Sequence, residues 1–141
     1  MLPVIETKGL TKNFARRRAV DGLSITVNRG DIYGFLGPNG SGKSTTMRMM
    51  LGLIKPTAGK VSLFGEDIST NLRGALARVG AIIEEPAFYN HLGGRKNLSM
   101  LQAYGGRRDR RKVDEVLELV GLSGRARDPV GTYSHGMKKR L

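Results

Sequence analysis

The feature that most constrains the fold of this chain is a glycine-rich stretch at residues 37–45. Its spacing, G-x-x-x-x-G-K-S, is typical of a loop whose backbone N–H groups wrap around phosphates. Glycines allow the tight turns that such a loop needs, and the N-terminus of a following helix adds positive potential. We therefore expect a phosphate-binding loop made of Gly37, Pro38, Asn39, Gly40, Ser41, Gly42, Lys43, Ser44 and Thr45.

Two residues of this loop have distinct expected roles. In loops of this pattern the lysine contacts the β- and γ-phosphates of a nucleotide, and the next hydroxyl is a ligand of Mg²⁺. These roles fall to Lys43 and Ser44. Because 20 of the 141 residues are glycine, a glycine-rich turn without a ligand remains an alternative.

The flanking sequence favours the phosphate loop over that alternative. The apolar run at residues 32–36 predicts a buried strand before the loop. Met47, Met50, Leu51 and Ile54 lie at helical spacing after it. Strand, loop and helix in this order is the context that the pattern requires.

Composition limits the classes of protein to which the chain can belong. Its length suits one domain or part of one, and 39% hydrophobic residues can supply a core. Without cysteine, disulfides and thiolate metal sites are excluded. No apolar run approaches the ~18 residues that span a bilayer, and the N-terminus does not resemble a signal peptide. We expect any membrane-spanning role to belong to another chain.

The net charge of +12 indicates an anionic partner such as nucleotide, lipid head groups or nucleic acid. The basic residues form short clusters, which are more typical of solvated surface than of a reading head. Aromatic residues make up only 6% of the chain, so base stacking has little support. Specific nucleic-acid binding is therefore not favoured.

Along the chain, mixed strands and helices precede a helical half. Strands are predicted at residues 4–9, 23–27, 60–64 and 79–83, and a short helix at residues 71–78. The strand at residues 23–27 alternates, with Leu23, Ile25 and Val27 expected to point inward and Ser24 and Thr26 outward. In the second half, residues 97–104 show helical spacing, and Asp109 is a candidate N-cap for a helix with Val113 and Leu117 on its apolar face. The best boundary between the two halves is near Pro86.

Three separated motifs, at residues 20–24, 37–45 and 133–137, give the chain a resemblance to the ATP-binding subunit of an ABC transporter. The resemblance extends over essentially the whole chain. It implies an α/β fold: a P-loop NTPase core with an N-terminal antiparallel β subdomain and a helical subdomain. Within a truncated nucleotide-binding domain at residues 1–141, residues 1–86 would form the β subdomain and core, and residues 87–141 the helical subdomain with the signature motif.

Two further site residues follow from the resemblance. Phe14 lies where the family places an aromatic that stacks on adenine, although a core phenylalanine is the alternative. Glu84 stands where most relatives have the glutamine of the Q-loop, a segment that approaches Mg²⁺ and the attacking water. The segment with a glutamate at this place resembles that of the exporters that protect against bacitracin and lantibiotic peptides. The resemblance gives Glu84 an implied metal-binding and catalytic role, beside the role of Lys43. An exposed acidic turn is the alternative for Glu84.

Ser134 and Gly136 match the signature motif, which usually reads Leu-Ser-Gly-Gly-Gln. In the family this motif contacts the γ-phosphate held by the opposite subunit, so the resemblance implies a homodimer or heterodimer of ATP-binding subunits. Tyr133, His135 and Met137 depart from the common pattern. Since Ser134 and His135 are sequence neighbours without an ordered carboxylate, a hydrolase dyad is not favoured.

The resemblance implies ATP and Mg²⁺ as cofactors, a transmembrane permease as partner, and the cytoplasmic face of the membrane as location. The family's metal-organising aspartate, catalytic glutamate and histidine have no counterpart before Leu141. We therefore expect an N-terminal fragment of a longer exporter ATPase whose core sheet is incomplete and which does not hydrolyse ATP alone. The alternatives are a soluble ABC protein that acts on the ribosome or nucleic acid, and a truncated product that only binds nucleotide.

Overall fold

The computed structural model describes residues 2–83, 87–106 and 108–141. These residues belong to two compact units, Met1–Ile83 and Glu84–Leu141. Each unit has its own hydrophobic core and is described separately. Pro86, the expected boundary, lies outside the described residues.

The first unit is organised on a four-stranded antiparallel sheet in the order β2-β1-β3-β4. Its strands are β1 (Ile5–Phe14), β2 (Arg17–Val27), β3 (Ala58–Leu63) and β4 (Glu66–Asp67). The first two strands form a hairpin that pairs Ile5 with Val27 and Phe14 with Arg17. This hairpin brings Phe14, the expected adenine-stacking residue, to its turn.

The alternation predicted for β2 is confirmed. Val27 is buried and Leu23 packs against the core, whereas Ser24 and Thr26 are exposed. A strand with one buried face presents alternate residues to that face, so the period of two in the sequence reports the orientation of the strand.

Two helices complete the first unit, α1 (Lys43–Met50) and α2 (Leu72–Leu76). Asn71 caps α2, because its side-chain oxygen accepts a hydrogen bond from the Gly74 N–H at 3.0 Å. Met49 is fully buried, although the helical spacing singled out Met47, which is partly exposed. The buried core comprises Leu10, Val20, Met49, Val61, Leu63, Ile68 and Ala75.

The strands predicted at residues 32–36 and 79–83 are wrong. Both segments are irregular, and Leu36 and Ile82 are 92% and 74% exposed. A strand forms only where a neighbouring strand accepts and donates its backbone hydrogen bonds. No described strand of the sheet pairs with either segment. Apolar composition alone therefore did not produce strand structure here.

The second unit is helical, with α3 (Gly94–Tyr104), α4 (Arg110–Leu119) and α5 (His135–Arg140). Two short 3₁₀ turns, Ser123–Arg125 and Val130–Thr132, connect α4 with α5. The predicted cap of α4 is confirmed, since the Asp109 carboxylate accepts a hydrogen bond from the Lys112 N–H at 3.0 Å. Across the described residues, each helix is too short or too polar to cross a membrane.

Helix α3 begins three residues earlier than predicted because of the buried Asn97. Its side-chain oxygen accepts from the Tyr89 N–H at 2.8 Å, and its amide donates to the carbonyls of Leu92 and Gly93 at 3.2 and 3.1 Å. These bonds hold the turn before the helix and satisfy a polar group that would be costly to bury alone. The core of this unit comprises Val113, Leu117, Leu122, Ala126, Val130 and Tyr133.

Candidate functional site

The glycine-rich stretch forms a loop that leads directly into α1. The Ser41 N–H donates to the Pro38 carbonyl at 3.2 Å, and the Thr46 N–H donates to the Gly42 carbonyl at 2.8 Å. The N-cap residue of α1 is Gly42, which has no side chain to cap the helix. The first N–H groups of a helix lack partners within it, so they face the loop as donors for an anion.

Gly42 is required by both the backbone angle and the space at this point. Its φ of 92° lies in the left-handed region, which side chains other than that of glycine rarely allow. A Cβ at this position would lie 2.3 Å from the Ala19 carbonyl oxygen of β2. The loop therefore depends on direct contact between two backbone segments.

Lys43 folds back over the loop. Its ammonium group donates to the carbonyls of Gly37 and Pro38, at 2.6 and 2.7 Å. These two bonds hold the ammonium within the loop. An ammonium group has three donor hydrogens, so the third takes no part in these bonds. A phosphate in the loop would find this cation already in place.

The structure brings Phe14 together with the loop. A cleft of about 310 Å³ is lined by Phe14, Arg17, Ala19 and the loop residues Asn39, Gly40, Gly42, Lys43, Ser44 and Thr45. The Phe14 ring is 48% exposed, and Lys12 Nζ lies 5.2 Å from its centroid. A half-exposed ring at a cleft edge is suited to stack on a planar ligand. The alternative of a buried core phenylalanine is wrong.

Arg17 is a site residue that the sequence did not single out. Its guanidinium donates to the Gly40 carbonyl at 2.8 Å and lines the same cleft. The sequence places it in a run of three arginines, whose simplest reading is solvated surface. Only the pairing of Phe14 with Arg17 across the hairpin shows that this arginine faces the loop.

The chemistry of the cleft favours an anion. The described residues that line it include two cations, Arg17 and Lys43, and none of them is a carboxylate or a histidine. Ser44 is exposed and can offer a hydroxyl oxygen to a metal ion. In the described part of the chain, no group of three His, Cys, Asp or Glu residues could hold a metal ion. A metal at Ser44 could take other ligands from the nucleotide and water, which is how Mg²⁺ is usually held in phosphate sites.

Glu84, the expected metal-binding and catalytic residue, lies outside the described residues. The other expected site residues of the first unit line the cleft, with the exception of Gly37, Pro38 and Ser41. Gly37 and Pro38 instead hold Lys43, and Ser41 closes the turn with Pro38.

The signature segment belongs to the second unit. The Ser134 hydroxyl caps α5 by accepting from the Met137 N–H at 3.3 Å, and Gly136 is exposed with open space around it. Tyr133, the departure from the family's leucine, is buried, and its hydroxyl donates to the Arg125 carbonyl at 2.6 Å. Tyr133 thus anchors the segment in the core, while Ser134 and Gly136 face outwards.

Comparison with known proteins gives consistent results. The family described as ABC transporter matches residues 20–141. The bacitracin transport ATP-binding protein BcrA of Bacillus licheniformis is 48% identical over 141 residues, which is 100% of this chain and 46% of that protein. The daunorubicin/doxorubicin resistance ATP-binding protein DrrA of Streptomyces peucetius is 42% identical over 97% of this chain and 42% of its own length. The chain thus spans about half the length of these relatives.

Solved structures support the same fold. An ATP-binding subunit of an ABC transporter matches 97% of this chain and 58% of its own, with 26% identity and a TM-score of 0.83. An ATP-binding cassette in its ADP conformation matches 99% of this chain and 62% of its own, with 25% identity and a TM-score of 0.79. The predicted fold class is thereby confirmed, although two of its predicted strands are not formed.

Proposed function

Because the chain belongs to the ABC transporter family, we propose that its first unit binds the adenine and phosphates of ATP in the cleft at the glycine-rich loop. The observation that carries this proposal is that the cleft brings Phe14 beside Gly40, Gly42, Lys43 and Ser44, although Phe14 is more than 20 residues away in sequence. An aromatic ring, a cation and free backbone donors then face one space.

Each group has a role that its chemistry supports. Phe14 stacks on adenine, which requires only the face of its ring. The N–H groups at the start of α1 and the ammonium of Lys43 bind the β- and γ-phosphates. Arg17 keeps the loop in shape through the Gly40 carbonyl and adds positive potential.

Mg²⁺ would be held by the Ser44 hydroxyl together with oxygen ligands from the nucleotide and water. The metal supplies charge neutralisation between the phosphates when it is bound. Glu84 is proposed as a further oxygen ligand and catalytic residue.

The 141-residue chain by itself is proposed to bind ATP without sustained hydrolysis. Among the described residues that line the cleft, none is a carboxylate or a histidine that could act as a general base. Positioning of an attacking water would then depend on other groups, such as Glu84 or a residue of another subunit.

In the whole protein, Ser134 and Gly136 are proposed to complete the ATP site of a second ATP-binding subunit, as a homodimer or a heterodimer. Their exposure on the second unit leaves the Ser134 hydroxyl hydrogen and the Gly136 backbone accessible to a partner. The signature segment would then serve another copy of the cassette and not its own loop.

The whole protein is proposed to drive an ABC exporter, at the cytoplasmic face of the membrane and together with a transmembrane permease. Relatives that are named for bacitracin transport and for daunorubicin/doxorubicin resistance support peptide antibiotics or related drugs as the cargo class. They lend no support to the ribosome or nucleic-acid alternative.

The proposal is tested by calorimetric titration of ATP and Mg²⁺ into the protein and two lysine variants. Lys43→Ala removes the ammonium from the loop and should weaken ATP binding by about tenfold or more, since hydrogen bonds to charged groups are worth about 1.5–3 kcal/mol. Lys55→Ala is the matched control, because Lys55 is exposed and does not line the cleft. Equal affinities for all three proteins would contradict the proposed site.

A further inference from the structure

The second unit contains a cleft of about 800 Å³ that the nucleotide site does not use. It lies between α3, the start of α4 and residues 126–127. Pockets that bind small molecules usually measure about 300–1,000 Å³, so its size suits a small organic ligand. An apolar floor is provided by Met100, Ala103 and Ala126.

The walls of this α3–α4 cleft are fixed by bonds between its elements. The Arg95 N–H donates to the Ala126 carbonyl at 2.9 Å, and the Asp109 N–H donates to the Gln102 side chain at 3.1 Å. Arg95 of α3 also forms an ion pair with Asp114 of α4. A Cβ on Gly93 would lie 2.7 Å from the Arg127 carbonyl oxygen, which shows how closely the two backbones approach.

The charge around the cleft is strongly positive. Of the described residues that line it, five are basic and only Asp109 is acidic. The Asp109 carboxylate caps α4, and Arg95 is paired with Asp114. Within the described residues, no carboxylate lies at ion-pair distance from the remaining four basic side chains, which are Lys96, Arg108, Arg110 and Arg127.

We propose that the α3–α4 cleft is a second anion site, which binds a phosphorylated organic molecule with its phosphates on the basic rim and its apolar part on the floor. Four unpaired cations favour a multiply charged anion over a single carboxylate. Arginine is the side chain best suited to phosphate, because its planar donors form paired hydrogen bonds. A phospholipid head group and a soluble phosphate ester share this chemistry, and the experiment distinguishes them.

The test follows backbone amide signals by NMR while a probe is titrated into the protein. Pyrophosphate represents the soluble source, and vesicles of phosphatidylglycerol, compared with phosphatidylcholine, represent the lipid source. The same titrations on Lys43→Ala, in which the glycine-rich loop lacks its ammonium, separate the cleft from the loop, because shifts that persist in this variant belong to the cleft. We expect shifts around Lys96, Arg110 and Arg127, with pyrophosphate or with the anionic vesicles.

The test variant Lys96→Gln/Arg127→Gln removes charge from two sides of the cleft at exposed positions. It should weaken probe binding by about tenfold or more. The matched control Arg16→Gln/Lys139→Gln removes the same charge from exposed positions outside the cleft and should retain the affinity.

Three outcomes would overturn the proposal. The first is no probe binding at the cleft residues. The second is equal loss in both double variants, which would show a general charge effect. The third is tighter binding of a hexaglutamate peptide than of either phosphate probe, which would assign the cleft to an acidic protein segment.

Discussion

The two units hold their candidate binding segments by opposite means. In the first unit the loop at residues 37–45 is shaped by backbone contacts, with Gly42 against the Ala19 carbonyl and Lys43 bonded to two loop carbonyls. In the second unit the segment at residues 134–136 is anchored by a buried side chain, Tyr133, whose hydroxyl reaches the Arg125 carbonyl.

This difference explains which residues each segment can vary. A loop shaped by backbone contacts cannot accept a side chain at the point of contact, so glycine is required at position 42. A segment anchored by one buried residue leaves its exposed positions open to change. The exposed His135 could therefore differ from the common family pattern without loss of the local fold, whereas Tyr133 is buried and its hydroxyl donates a hydrogen bond to the Arg125 carbonyl.

The largest expected effect comes from adding one methyl group at Gly42. Gly42→Ala places a Cβ 2.3 Å from the Ala19 oxygen at a φ of 92°. The loop must shift, so we expect loss of stability of about 1–3 kcal/mol and at least about a hundredfold loss of ATP affinity. Urea unfolding and calorimetric titration measure both.

Gly136→Ala is the matched change in the second unit. Gly136 lies within α5, and no atom lies within 4 Å of the added Cβ. We expect unchanged or slightly raised stability, by up to about 1 kcal/mol, because alanine favours the helix. If both variants lost the same stability, the contrast between the two segments would be wrong.

A smaller effect is expected from Tyr133→Phe, which removes the hydroxyl and leaves the Arg125 carbonyl without this donor. The expected loss is about 1–2 kcal/mol in chemical denaturation. The half-exposed Tyr33 provides the control, since Tyr33→Phe should change stability by less than about 0.5 kcal/mol. Equal effects would show that Tyr133 is not an anchor.

Tyr133 also predicts that the second unit loses stability at alkaline pH. Burial raises the pKa of the Tyr133 phenol above its usual value of 10.0. A raised folded-state pKa contributes stability that is complete below pH 10 and is lost as pH rises through the folded-state value. Between pH 9 and 12 the parent should therefore lose more stability than Tyr133→Phe. Parallel curves would contradict this origin.

The smallest effect is expected in the first unit at acid pH. Hydrogen bonds from Ser69, helped by the charge of Lys60, hold the pKa of Asp67 below its usual value of 3.8. A lowered pKa contributes stability above pH 3.8 that is lost as pH falls through the folded-state value. Asp67→Asn should reduce the loss of unfolding free energy between pH 5 and pH 2.5 by less than about 1 kcal/mol. Urea titrations at these two pH values measure the difference. If the parent and Asp67→Asn lost the same stability between pH 5 and pH 2.5, Asp67 would not contribute to the acid dependence.

Local sequence rules were sufficient where one short segment determines its own structure. The glycine spacing predicted the loop and the start of α1, Asp109 predicted the cap of α4, and the alternation of Leu23 and Val27 predicted the buried face of β2. Each of these depends on residues within a few positions of one another.

Features that depend on distant partners were missed. The apolar runs at residues 32–36 and 79–83 were predicted as strands, yet no described strand pairs with them. Arg17 joins the site only through the hairpin register. The α3–α4 cleft exists because residues 126–127 pack beside the start of α3, which no periodic pattern in the sequence indicates.

The central claim is that the cleft at the glycine-rich loop binds the nucleotide, and amide NMR of the protein with ATP and Mg²⁺ tests it most directly. The account predicts the largest shifts at Gly40, Gly42, Lys43 and Ser44, with smaller shifts at Phe14 from the stacked adenine. The account also predicts that these shifts disappear in Lys43→Ala, while its spectrum remains that of a folded protein. Shifts confined to the second unit, or none at all, would contradict the account.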